Sequence, residues 1–160
     1  MKNHHRAWFW GLLSFAMLIF IFSNSLQNGE ESSAASDFVT EICQPLLVQA
    51  ELTADEGTLL IRKLAHFSEF ALLGGLFCAM ANAISLPSPN LAAAYGGTLA
   101  AIADEFIQRF VDGRSSQVSD VVIDLAGMLT GLCVCLLLRR LFAKRAAANN
   151  KQAKRAKSAS

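Results

Sequence analysis

Four apolar runs, over residues 7–26, 64–84, 91–108 and 119–138, constrain this chain more than any other feature. A helix that crosses a bilayer needs about 20 residues at a rise of about 1.5 Å each. With 53% hydrophobic residues and a mean hydropathy of +0.37, the chain reads as one domain, too apolar for an ordinary soluble one. The fold expected is an all-α integral membrane protein: four transmembrane helices in a bundle, occupying residues 1–142. The 91–108 run is the weakest of the four. It is short, ends in polar residues and is rich in Ala and Gly, which suits a helix packed inside a bundle rather than facing lipid.

The net charge of +1 conceals a segregation. All thirteen acidic residues lie between Glu30 and Asp124, whereas 139–160 carries eight Lys and Arg and no acid. Lys2 and Arg6 hold the N-terminus in the cytoplasm and the basic tail holds the other end there, so an even number of spans satisfies both. The 85–90 loop, with its two prolines, is then cytoplasmic, and the 27–63 and 109–118 loops lie outside. A cleaved signal peptide ending near Ser23-Asn24-Ser25 is the less favoured reading, because the apolar run is long and the site is poor.

Within the first outer loop, residues 33–48 place Phe38, Ile42, Leu46 and Leu47 between acidic positions, which predicts a short amphipathic helix on the outer interface. Thr53 with Glu56 resembles a capping box, so a helix beginning there runs into the second span. Residues 143–160 read as a basic, disordered cytoplasmic tail attracted to anionic lipid. The four cysteines form no framework, and Cys133-x-Cys135 has no second pair or nearby His to make a zinc site.

Ionisable residues inside a span are costly and mark function by default. Here they occur in three runs and at one depth. From helix rise, His66 and Glu69 lie about 5 and 10 Å inside the boundary set by Arg62 and Lys63. Asp104, Glu105 and Gln108 lie about 1.5 to 8 Å inside Arg109, and Asp124 about 6 Å below Asp120. Spacings of three and four put each set on one helix side, and the Asp120–Asp124 side continues through Gly127 and Gly131, a pair that admits a close helix neighbour. The carboxylates are therefore expected to face the bundle interior.

These residues also carry a resemblance. Arg62-Lys63-x-x-His66-x-x-Glu69-Phe70-x-x-Leu73-Gly74, Asp104-Glu105-x-x-Gln108-x-Phe110, Gly113-Arg114 and Asp120-x-x-x-Asp124-x-x-Gly127-x-x-x-Gly131 resemble the VanZ-like family of small membrane proteins. Phe22-Ser23, Gln27 and the serines at 32, 33 and 36 fit the same pattern, so the likeness covers about 21–131. It departs at Phe70, where Tyr is frequent, and at Asp124, where relatives often have Asn. The resemblance implies a bacterial cytoplasmic-membrane protein and a link to low-level teicoplanin resistance, but no reaction.

Three function classes follow. The first is an enzyme at the outer face acting on a lipid-linked or cell-envelope substrate. In it His66 or Glu105 is general base, Glu69, Asp104, Gln108, Asp120 and Asp124 complete the catalytic layer, and Arg114, Arg62 and Lys63 bind an anionic group such as phosphate. His66 in this reading faces Glu105. The second class is a ligand- or ion-binding protein, and the third a membrane scaffold whose polar residues hold the helices together. A His among carboxylates can also hold a divalent metal, Mg²⁺, Mn²⁺ or Ca²⁺ on oxygen ligands, although the spacing matches no recognised metal signature. Membrane lipids are the expected partners; nucleic acid is not.

Overall fold

A computed structural model describes residues 2–114 and 117–158. The described residues form five α-helices and no strand: α1 (Lys2–Ser25), α2 (Gly29–Gln49), α3 (Ala54–Ala83), α4 (Pro89–Gln108) and α5 (Val118–Ser158). Three of them contain segments long and apolar enough to cross a membrane: His4–Ser25, Ala54–Ala83 and Val118–Asn150. The 20-residue α4 falls outside that set, because its Gly, Asn and acidic residues dilute its apolarity.

Helix α3 is the hub and packs against each of the other four. Its start is the expected capping box. Thr53 N–H donates to Glu56 Oε2 at 2.9 Å, and Glu56 N–H donates to Thr53 Oγ1 at 3.4 Å. Its end is Ser85 in the left-handed region (φ 57°), which lets Leu86 N–H return to the Ala81 carbonyl at 3.3 Å. Pro89 then opens α4 at a position where its missing N–H costs nothing.

Glycines set the α3–α5 contact. A Cβ on Gly127 or Gly131 would sit on the carbonyl oxygens of Phe67 and Ala71, and one on Gly74 would meet the carbonyl of Met128. In a lipid solvent such close backbone approach supplies packing that the hydrophobic effect does not. Below the polar layer, Ile21, Phe70, Leu73, Phe77 and Met128 fill the core, with Ala93, Ala100 and Ala101 of α4 laid against it.

Two elements differ from their sequence reading. The loop helix is longer than expected, Gly29–Gln49 rather than 33–48. Thr40 and Leu47 on its inner side are buried, while Phe38, Ile42 and Leu46 are exposed on another. The segment 143–160, read as disordered, continues α5 as helix to Ser158; its Ala, Lys and Arg are strong helix formers. At that end of the bundle Arg6, Asn82, Ala83 and Arg139 line one cleft, so the start of α1, the end of α3 and the basic stretch of α5 lie together.

Candidate functional site

His66 of α3, Asp104 of α4 and Asp124 of α5 meet at one point. His66 Nδ1 is 3.8 Å from Asp104 Oδ2 and 3.7 Å from Asp124 Oδ1. One donor atom from each of the three residues lies within 4.8 Å of the others. Sequence spacing explains the meeting. Asp124 is three residues before Gly127, on the same helix side, and Gly127 abuts the backbone of Phe67, next to His66. The glycine contact thus draws the Asp124 carboxylate up to the imidazole. Both aspartates have no exposed surface, and His66 is partly open.

The two carboxylates are treated differently. Ser25, at the end of α1, donates its hydroxyl to Asp104 Oδ1. Gln108 Nε2 donates to Asp104 Oδ2 at 2.8 Å and reaches Ser25 Oγ at 3.4 Å. Asp124 has no hydrogen bond on either oxygen, and His66 Nδ1 has none, among the described residues. Distances of 3.7 and 3.8 Å are too long for direct hydrogen bonds. Beside this cluster, Asn24 Nδ2 donates to Glu69 Oε1 at 2.9 Å.

The connection from α4 to α5 closes over the site. Gly113 takes a positive φ of 74°, a conformation that glycine adopts without strain. Gly29 N–H donates to the Asp112 carbonyl at 3.1 Å, and a Cβ on Gly29 would meet the Gly113 carbonyl. This turn sends Arg114 inward. Its Nη2 donates to the Asn24 carbonyl at 2.8 Å and its Nε to the Gln27 carbonyl at 3.2 Å. A cation at the carbonyl end of α1 complements the helix dipole. Burial lowers the Arg114 guanidinium pKa, the nearby Arg62 charge lowers it further, and Asp104, Glu105 and Glu69 oppose both. Glu105 Oε2 accepts the Gln117 N–H at 3.0 Å and so ties α4 to the start of α5.

Two clefts flank Arg62 and His66, which line both. One, of about 190 Å³, is completed by Leu59, Lys63, Gln117, Asp120 and Ile123. The other, of about 270 Å³, includes Asn24, Ser32, Ser36, Glu69 and Arg114. The side chain of Ser33, third of the serines in the pattern, lies outside the described set. A larger cleft, about 700 Å³, lies toward the opposite, basic end and has a more apolar lining.

Of the residues singled out in the sequence, His66, Asp104, Gln108 and Asp124 form the centre, with Glu69, Asp120, Arg62, Lys63 and Arg114 on cleft walls. Where Glu105 is expected to face His66, the groups nearest the His66 Nδ1 are Asp104 and Asp124, and Glu105 accepts from Gln117. Ser25 and Asn24 were not in the expected layer. Both are neutral polar residues at the end of an apolar run, a position that tolerates them freely and so carries little signal.

A model of the VanZ/LLP1 family matches residues 9–139. No curated protein and no solved structure gives a match.

Proposed function

The chain belongs to the VanZ/LLP1 family, and from that premise we propose that it is a four-span membrane protein whose polar layer binds and acts on an anionic lipid-linked or cell-envelope ligand. Helix α4 is the fourth span in this reading. At 20 residues it is about 30 Å long. Its small residues, Ala93, Gly97, Ala100 and Ala101, pack inward, while Leu91, Tyr95, Leu99, Ile102 and Phe106 make an exposed apolar stripe suited to lipid. The basic end, with Arg6, Arg139 and Arg140, is cytoplasmic by the positive-inside tendency. The polar layer is then at the outer face of the bacterial cytoplasmic membrane, level with lipid head groups. The exposed Phe38, Ile42 and Leu46 of α2 suit a helix resting in that interface.

The observation that carries the reading is the state of Asp124. A carboxylate serving as helix-to-helix glue would have its oxygens hydrogen-bonded; this one is fully buried with no hydrogen bond on either among the described residues. Such an arrangement costs stability and is retained where it serves a ligand. His66, open to both clefts, is the group placed to take a proton from a ligand hydroxyl or a water, with Asp104 and Asp124 beside it. Arg62, Lys63 and Arg114 line the clefts as ligands for a phosphate-type anion. Teicoplanin resistance is the cellular context proposed for this activity.

The test compares His66→Ala and Asp124→Asn with wild type for abundance, for teicoplanin susceptibility, and for altered products in membrane lipid extracts by mass spectrometry. The reading expects normal abundance with loss of phenotype and of product. Phenotype lost only in step with abundance would make the polar layer glue instead.

A further inference from the structure

Asp104 and Asp124 place two carboxylates in a fully buried spot, and neither forms an ion pair with Lys or Arg among the described residues. Arg114, the basic side chain turned inward here, has two of its donors committed to the carbonyls of Asn24 and Gln27. Hydrogen bonds from Ser25 and Gln108 reach Asp104 but none reaches Asp124 among the described residues, so the two buried carboxylates beside one imidazole favour a cation that would offset their desolvation.

We infer that His66 Nδ1, Asp104 and Asp124 are the protein ligands of a divalent cation of the Mn²⁺ or Zn²⁺ type. Two donors each about 2.1 Å from one ion stand about 3.0 to 4.2 Å apart. The measured separations of 3.7 and 3.8 Å from His66 Nδ1 fall inside that range, and the set closes within 4.8 Å. Two of the three donor groups are also left over: His66 Nδ1 and both Asp124 oxygens have no hydrogen bond among the described residues, so a metal would displace nothing there. Asp104 is oriented from behind by Ser25 and Gln108, as ligating carboxylates commonly are.

Charge and donor type narrow the ion. Two carboxylates balance a dication. One imidazole nitrogen with two oxygens suits Mn²⁺ or Zn²⁺ better than Ca²⁺, which takes six to eight oxygens. Three protein ligands leave coordination positions open, and His66 lines both clefts, from which a phosphate oxygen or water can complete the set. In its role this inference rests on the reading of the layer as a working site; its occurrence is tested independently, by metal uptake.

The experiment uses the full chain purified in detergent, stripped with EDTA, equilibrated with MnCl₂ or ZnCl₂, dialysed, and assayed by elemental mass spectrometry. Thermal unfolding monitored by circular dichroism runs alongside. Wild type is expected to retain about one equivalent per chain and to unfold at a higher temperature with metal than without. Asp124→Asn, which keeps the shape, and His66→Gln should both lose the equivalent while remaining folded. Asp37→Asn, on α2 away from the site, should keep it. Folded wild type without uptake, or Asp124→Asn that binds as wild type does, overturns the inference. Uptake with no change in any lipid overturns the functional reading and supports the site, whereas lipid products formed undiminished after EDTA with no uptake overturn the site alone.

Discussion

Arg114 Nη2 lies 2.8 Å from the Asn24 carbonyl, so one side chain ties the loop between α4 and α5 to the carbonyl end of α1. The same guanidinium holds the Gln27 carbonyl through Nε. Only a planar fork reaches both acceptors at once, which a lysine ammonium does not reproduce. Arg114→Lys is therefore expected to lose most of what Arg114→Ala loses. Each charged hydrogen bond contributes about 1.5–3 kcal/mol, so both variants should unfold at lower temperature in detergent and expose the loop to protease. A Lys variant as stable as wild type would show that charge alone suffices.

Ser25 bonded to Asp104 leads to a second prediction. Ser25→Ala leaves a buried carboxylate oxygen short of a donor, at a cost of about 1–3 kcal/mol. Gln108→Leu removes the other donor to the same group. Because the two act on one carboxylate, the double variant should deviate from additivity by more than about 0.5 kcal/mol. Additive melting shifts in a double-mutant cycle would mean that Asp104 is held by something else.

How much of this was legible beforehand depends on the residue. The layer itself was, because Asp104, Asp124 and His66 are ionisable groups in apolar runs and helix rise assigns them a common depth. The glycine contact was also legible, since Gly127 and Gly131 share a side with Asp124. The partners from α1 were not, because Ser25 and Asn24 are neutral and sit where a span ends, a place that tolerates polar residues for free. Nor was the facing of Glu105. Residues 104 and 105 are equally acidic and both buried, and only the packing of α4 decides that Asp104 meets His66 while Glu105 holds Gln117. Low apolarity in the last stretch reads as disorder, yet its Ala, Lys and Arg carry high helix propensity and the helix runs to Ser158.

Gly131 and Gly127 permit a sharper test of the α3–α5 contact. A Cβ at either site overlaps a backbone carbonyl rather than a side-chain end, so nothing flexible can move aside. Gly131→Leu should cost more than Gly131→Ala, and both should exceed the roughly 1–3 kcal/mol typical of overpacking a side-chain site. As a control, Gly11 has only Met80 Sδ at 3.8 Å, so Gly11→Ala should be neutral or slightly stabilising. Steric-trap or thermal unfolding in micelles would measure the difference. Equal effects at Gly11 and Gly131 would contradict the close approach.

Asp124 separates stability from function most cleanly. Its oxygens are buried and unbonded, so the fold gains nothing evident from the charge. Removing a buried carboxylate that accepts no hydrogen bond relieves a desolvation cost that nothing offsets. Asp124→Leu should accordingly accumulate at or above wild-type level and melt at the same or higher temperature, while losing the lipid and resistance phenotypes entirely. Asp104→Leu is the contrasting case. It strands the Ser25 and Gln108 donors that now bond to the carboxylate, so it should lose both stability and phenotype. Both aspartates approach the same imidazole nitrogen, Nδ1 of His66, and only a working site predicts that their removal affects function alike and stability in opposite directions. Parallel destabilisation of both would return the cluster to a structural role.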